Sequence, residues 1–96
     1  MLITRELLAK KVLDYLNRRL SKEDLTTWAE DALIENDYEE DYFEVIADSL
    51  AKLGVINVQG FDLPIAFYLN LLIRLDFFMV FGLEPSSENK PDIVYI

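Results

Sequence analysis

The chain has no cysteine and no histidine. Without cysteine there are no disulfides, no thiolate metal ligands and no thiol nucleophile. Without histidine, neither Ser-His-Asp nor Cys-His catalysis can be assembled within one chain, and a His-ligated zinc site is excluded. Glycine is scarce: Gly54, Gly60 and Gly82 stand far apart, so no phosphate-cradling glycine loop exists. A calcium loop of the D-x-[DN]-x-[DN]-G kind is missing as well. Positive charge is absent from one long stretch. Between Glu23 and Ala51 there are eleven Asp or Glu residues and no Lys or Arg. The whole chain carries a formal charge of −9, with a pI near 4.3. Such a surface repels phosphate backbones, so nucleic acid is not an expected partner, and a basic protein is the natural complement.

What is present is a single domain. Ninety-six residues, 52% of them hydrophobic, can bury about two-thirds of their unfolded surface without a metal or disulfide. The opening Met-Leu-Ile-Thr-Arg-Glu reaches charge at once and lacks the apolar run of a leader. Together with the missing cysteine, this fits a cytoplasmic protein. Leu63 to Leu83 has the 21 residues needed to span a bilayer. Pro64, Asn70, Arg74 and Asp76 interrupt it, and each charge at mid-membrane costs about 2.5–3.5 kcal/mol. A buried helix leading into a strand is expected, not a membrane span.

The fold class expected is mainly α: a small four-helix domain over residues 1–96, with a short C-terminal β-strand pair as an open addition. The helices are expected at about 4–20, 22–35, 38–53 and 64–76. Thr4 and Ser21 are suited to cap the first two. Leu8, Val12, Leu16 and Leu20 recur every four residues in the first. Leu25, Trp28, Ala29, Ala32 and Leu33 give the second a core stripe. In the third, Phe43, Ile46, Ala47, Leu50 and Leu53 are expected to face the core, and Gly54 to supply a left-handed C′ position. Residues 65–75 are apolar almost all round, which marks a central helix or one that meets a second chain. Residues 77–81 and 92–96 have strand composition. They would form an antiparallel pair, or one would pair across a dimer. The alternative is that the fourth helix continues through Phe81.

The candidate partner-binding residues are Glu30, Asp31, Ile34, Glu35, Asp37, Tyr38, Asp41, Tyr42, Glu44 and Asp48. Ile34, Tyr38 and Tyr42 lie among acids at the turn between the second and third helices. Aromatics anchor interfaces while charge steers a basic partner. The competing reading is that Tyr38 and Tyr42 only cover the rim of the core. Trp28 sits in the core stripe and is expected to pack there. The basic residues of 1–22 offer an anion site, or simply solvate one face. No catalytic, cofactor or metal site is expected. The nearest approach to one is carboxylates four apart, as in Asp31/Glu35, Glu40/Glu44 and Glu44/Asp48, a spacing able to hold Mg²⁺ or Mn²⁺. Glu40-Asp41-Tyr42-Phe43-Glu44 is superficially similar to the carboxylate helix of all-helical nucleotide pyrophosphatases. Those sites need a second acidic helix facing the first and bases for the phosphates, and the sequence does not identify both.

Residues Leu16 to Ala32, with Leu53-Gly54-Val55 after them, resemble small bacterial proteins of unknown function that share a Trp-Ala-Glu helix after a Ser-capped start. The resemblance implies a helical bacterial domain and no activity. In size and acidity the chain is similar, as a class, to nuclease-bacteriocin and contact-dependent-inhibition immunity proteins, which bind and neutralise basic toxins. The Tyr-Tyr motif of the helical colicin immunity family is absent, because Tyr38 and Tyr42 are four apart, and no site is carried over. The leading expectation is therefore a non-catalytic domain that binds a basic partner as an immunity or antitoxin-like inhibitor. The alternatives are a carboxylate-based, divalent-metal hydrolase and a structural subunit that dimerises through residues 64–76 and the C-terminal segment.

Overall fold

The structure is a computed structural model that describes residues 1–56, 63–80 and 93–95. It is mainly α, with four helices: α1 (Arg5–Leu16), α2 (Lys22–Glu35), α3 (Phe43–Leu53) and α4 (Ile65–Arg74). A 3₁₀ turn, Glu40–Tyr42, precedes α3. Residues 57–62, 81–92 and 96, among them Phe81, Asp92 and Ile96 of the expected strands, lie outside the described residues.

Helix α1 starts where Thr4 accepts a hydrogen bond from the Leu7 amide at 3.1 Å. It ends at Leu16, four residues before the expected Leu20. The cause is a Schellman turn. Arg18 takes the left-handed conformation (φ 61°), its amide donates to the Tyr15 carbonyl, and the Arg19 amide donates to that of Asp14 at 2.7 Å. Arg18 and Arg19 thus lie in the turn beyond the helix. Ser21 then caps α2 by accepting from the Asp24 amide at 3.0 Å. Asn36 closes α2 in the left-handed region, where a short polar side chain is tolerated.

The chain next returns to its own start. The Ile3 amide donates to the Asp37 carbonyl at 2.8 Å, and the Glu39 amide to the Ile3 carbonyl at 2.9 Å. These bonds form an isolated parallel bridge between Ile3 and Tyr38, which periodicity did not suggest. The third helix also starts later than expected. Residues 40–42 are wound as 3₁₀, at three residues per turn rather than 3.6, so the helical phase shifts before α3 begins. Phe43, the first residue of α3, lies at the exposed end of the core stripe and is 45% exposed, with its ring against that of Tyr38. Ile46, Leu50 and Leu53 are buried as their spacing requires.

Gly54 is not left-handed (φ −68°). Its role is close packing. A Cβ there would meet the Leu50 carbonyl oxygen at 3.3 Å and the Leu33 Cδ1 at 3.6 Å, where the end of α3 lies on α2. Trp28 is partly buried against the core, with Lys11 Nζ 5.6 Å from the centre of its ring. Helix α4 buries Tyr68, Leu71 and Leu72 and closes with a second Schellman turn, in which Asp76 is left-handed (φ 68°). No helix among the described residues is long and apolar enough to cross a membrane.

After α4 the backbone extends. Strands β1 (Phe78–Val80) and β2 (Ile93–Tyr95) lie side by side in the register Phe78↔Ile93, Met79↔Val94 and Val80↔Tyr95. The pairing is parallel.

Candidate functional site

The ten candidate residues do not form one site. Eight of them are exposed: Glu30, Asp31, Ile34, Glu35, Asp37, Asp41, Glu44 and Asp48. Tyr38 is a correction, being only 6% exposed. Its ring packs against that of Phe43 with centroids 5.2 Å apart, and its hydroxyl lies 3.5 Å from the Ala32 carbonyl, a long, weak bond. Burial raises its phenol pKa above the ordinary value of 10. Tyr38 is a core residue. The bridge to Ile3 explains this, because it draws residue 38 inward.

Tyr42 is half-buried and already engaged. Its hydroxyl donates to Asp76 Oδ2 at 2.6 Å. That hydrogen bond is the main cause of its raised pKa; burial and the Asp76 charge add to it, and Arg5 opposes it. Arg5 sits at the centre of this cluster. Its guanidinium lies 4.7 Å from the Phe77 ring centre and 5.4 Å from that of Tyr42, and Nη1 donates to the Leu75 carbonyl at 2.7 Å. The Arg5 amide donates to Glu39 Oε1 at 2.8 Å. The beginning of α1, the 3₁₀ turn and the end of α4 are tied together here. The cluster is structural, and sequence reasoning missed Arg5, Glu39 and Asp76, whose partners are remote in the chain.

The remaining acids divide by place. Glu35 Oε1 lies 2.7 Å from the Met1 amino nitrogen, at the end where Ile34 and Asp37 are exposed. Asp48 is partly neutralised on the α3–α4 side by Lys52 at 3.2 Å and Arg74 at 3.9 Å. Glu30 lies beside Gly54. Phe43 to Leu53 is eleven helical residues, so Glu30 is about 16 Å from the start of α3.

One place does combine what an interface needs. Glu40, Asp41, Tyr42, Phe43, Glu44 and Val45 line an open hollow of about 460 Å³ where the 3₁₀ turn meets α3. Three acidic residues line it together with the half-exposed Phe43. None of Glu40, Asp41 or Glu44 makes an ion pair among the described residues. Phe43, Glu40 and Val45 were not among the candidates. The available signal was Phe43's position inside a run of acids, which its place at the head of an apolar stripe overrode. Among the described residues, no group of three His, Cys, Asp or Glu converges closely enough to hold a metal. The carboxylates spaced four apart along the chain therefore gain no third ligand there.

The chain matches no family model, no curated protein and no solved structure.

Proposed function

We propose that the domain is a non-catalytic binding module whose acidic hollow receives a basic partner protein, in the manner of an immunity or antitoxin-like inhibitor. The observation that carries this reading is the half-exposed Phe43 lining one hollow with three acidic residues that no described cation neutralises. Leaving like charges unpaired around an aromatic ring costs stability, and a partner that brings both cations and apolar surface recovers it. Ile34, 82% exposed and next to Glu35, extends the surface on the adjoining end of the molecule. The eleven acids of Glu23–Ala51 supply the long-range field that would speed capture. Binding of a labelled amphipathic Lys/Leu helix, followed by fluorescence anisotropy, tests the reading. Phe43→Ala should weaken binding at least about tenfold, as expected for loss of a central aromatic anchor. A Phe43→Ala protein that binds as tightly as the parent would refute a defined site in favour of diffuse charge attraction.

A second reading has its own observation. On α4, Ile65 and Ile73 are 65% and 54% exposed, two helical turns apart on one face. The helix carries no acid, and its only charge is Arg74. In a chain of charge −9, two copies meeting through this helix bring no α4 carboxylates together. It supports a homodimer through α4. Light scattering of an Ile73→Lys protein against the parent decides that reading.

A further inference from the structure

The charge of this chain is split along one helical hairpin. Residues 1–22 hold six bases and two acids, whereas residues 23–51 hold eleven acids and no base. Helices α1 and α2 run antiparallel. The Arg18 turn joins them at one end, and the Ile3–Tyr38 bridge closes the other. The acidic hollow lies at the bridge end, because Tyr42 contacts Arg5 at the start of α1. At the turn end is a second open hollow, of about 540 Å³, with Tyr15, Leu16 and Leu20 beside Arg18, Arg19 and Lys22. Arg18 and Arg19 are exposed and make no ion pair among the described residues. In a protein with twice as many acids as bases, two adjacent unpaired arginines are a local inversion of sign.

The two hollows are complementary in kind. Each has an apolar element beside charges of one sign, and the signs are opposite. Intramolecular neutralisation is barred by distance, since the twelve residues of α1 hold the two ends about 18 Å apart. At physiological salt the screening length is about 8 Å. The net charge of −9 is then largely screened between copies, while charges in contact are not.

We propose that the acidic hollow of one copy takes the Arg18–Arg19 turn of a second copy, with Phe43 against the Tyr15, Leu16 and Leu20 wall. This rests on the acidic hollow being a docking site and names a second copy of the chain as an occupant. The contact is heterologous, because each copy offers a different surface at each end. It therefore propagates into a ring or an open chain of subunits, unlike a symmetric α4 pair.

Sedimentation velocity of the full chain over a range of concentrations tests this, with two variants that each remove two charges from one end, R18G/R19A and E40Q/E44Q. All four positions are exposed, and far-ultraviolet circular dichroism verifies folding. The parent should grow in mass with concentration at about 0.15 M salt and revert to monomer at about 1 M, where screening reaches about 3 Å. Each variant alone should stay monomeric. Their mixture should stop at a one-to-one dimer, because only one competent contact remains. A parent that is monomeric throughout, or variants that associate as the parent does, overturns the proposal. Titrating the same samples with the Lys/Leu helix separates the two readings. Phe43-dependent peptide binding by a monomeric parent overturns self-association alone, whereas absence of both overturns the acidic docking site as well.

Discussion

Tyr42 and Asp76, thirty-four residues apart, share a 2.6 Å hydrogen bond in which the phenol donates to a carboxylate held in the left-handed conformation. Asp76 thus has two functions. It closes the Schellman turn of α4 and fixes the ring that forms one wall of the acidic hollow. Tyr42→Phe and Asp76→Asn should each lower the Tm by a few degrees. The double variant should lose less than the sum, because both changes break one interaction. Thermal unfolding of the four proteins closes that cycle, and full additivity would contradict the coupling.

The same bond has a pH signature. The Tyr42 pKa is raised above 10 in the folded state, first by the bond to Asp76. The folded protein therefore holds the phenol proton longer than the unfolded chain does. The resulting stabilisation is fully present below about pH 10 and is lost as pH rises through the folded-state value. Tyr38, raised by burial, titrates in the same sense. Phenolate absorbance during alkaline titration should show late-ionising tyrosines, one of which disappears in Tyr42→Phe. Unchanged titration in that variant would count against the bond.

Arg18 occupies the C′ position of α1 at φ 61°, where a side chain costs about 1–2 kcal/mol and glycine costs little. Arg18→Gly should stabilise the fold by about 1 kcal/mol, after the greater entropy of glycine in the unfolded chain is set against the relieved strain. Urea unfolding measures it, and a loss of stability would show that the arginine side chain contributes to the fold.

Ser49 lies fully buried in α3 with no hydrogen-bond partner for its hydroxyl among the described residues. Removing an unsatisfied buried hydroxyl without opening a large cavity is favourable. Ser49→Ala is expected to gain about 0.5–1 kcal/mol. A loss above about 1 kcal/mol would reveal a partner for that oxygen.

Leu50 and Phe43 lie on the same helix but have opposite fates. Leu50→Ala should cost about 2–5 kcal/mol, as for a buried leucine. Phe43→Ala should cost less, about 1–2 kcal/mol, because nearly half of the residue is already in water and its ring contact is the one with Tyr38. Equal losses in denaturant unfolding would return Phe43 to the core.

The helices were legible because their signals are local. Thr4 and Ser21 both accept the amide bonds their positions predict, and Leu25, Ala29 and Ala32 are buried as their spacing requires. The end of α1 was not legible, because Arg18 stands where glycine normally announces a Schellman turn. Phe43 and Tyr38 were misplaced for a related reason. A single bridge to Ile3 draws Tyr38 inward, and the 3₁₀ turn makes Phe43 the first residue of α3, at the end of its core stripe; neither leaves a periodic trace. Arg5 was invisible as a structural hub, since its guanidinium partner is the carbonyl of Leu75, seventy residues away. The acidic character of Glu23–Ala51 was evident from composition. Its division into a hollow around Phe43, a neutralised Asp48 and a distant Glu30 needed the fold.

The most direct test of the acidic docking surface is an amide chemical-shift map of the isotope-labelled chain, titrated with the Lys/Leu helix at about 0.15 M salt. The expected result is a set of shifts concentrated on residues 34–45, most of them abolished by Phe43→Ala. Shifts spread evenly over every exposed acid, including Glu23 and Asp24, and unchanged by Phe43→Ala would contradict a defined site.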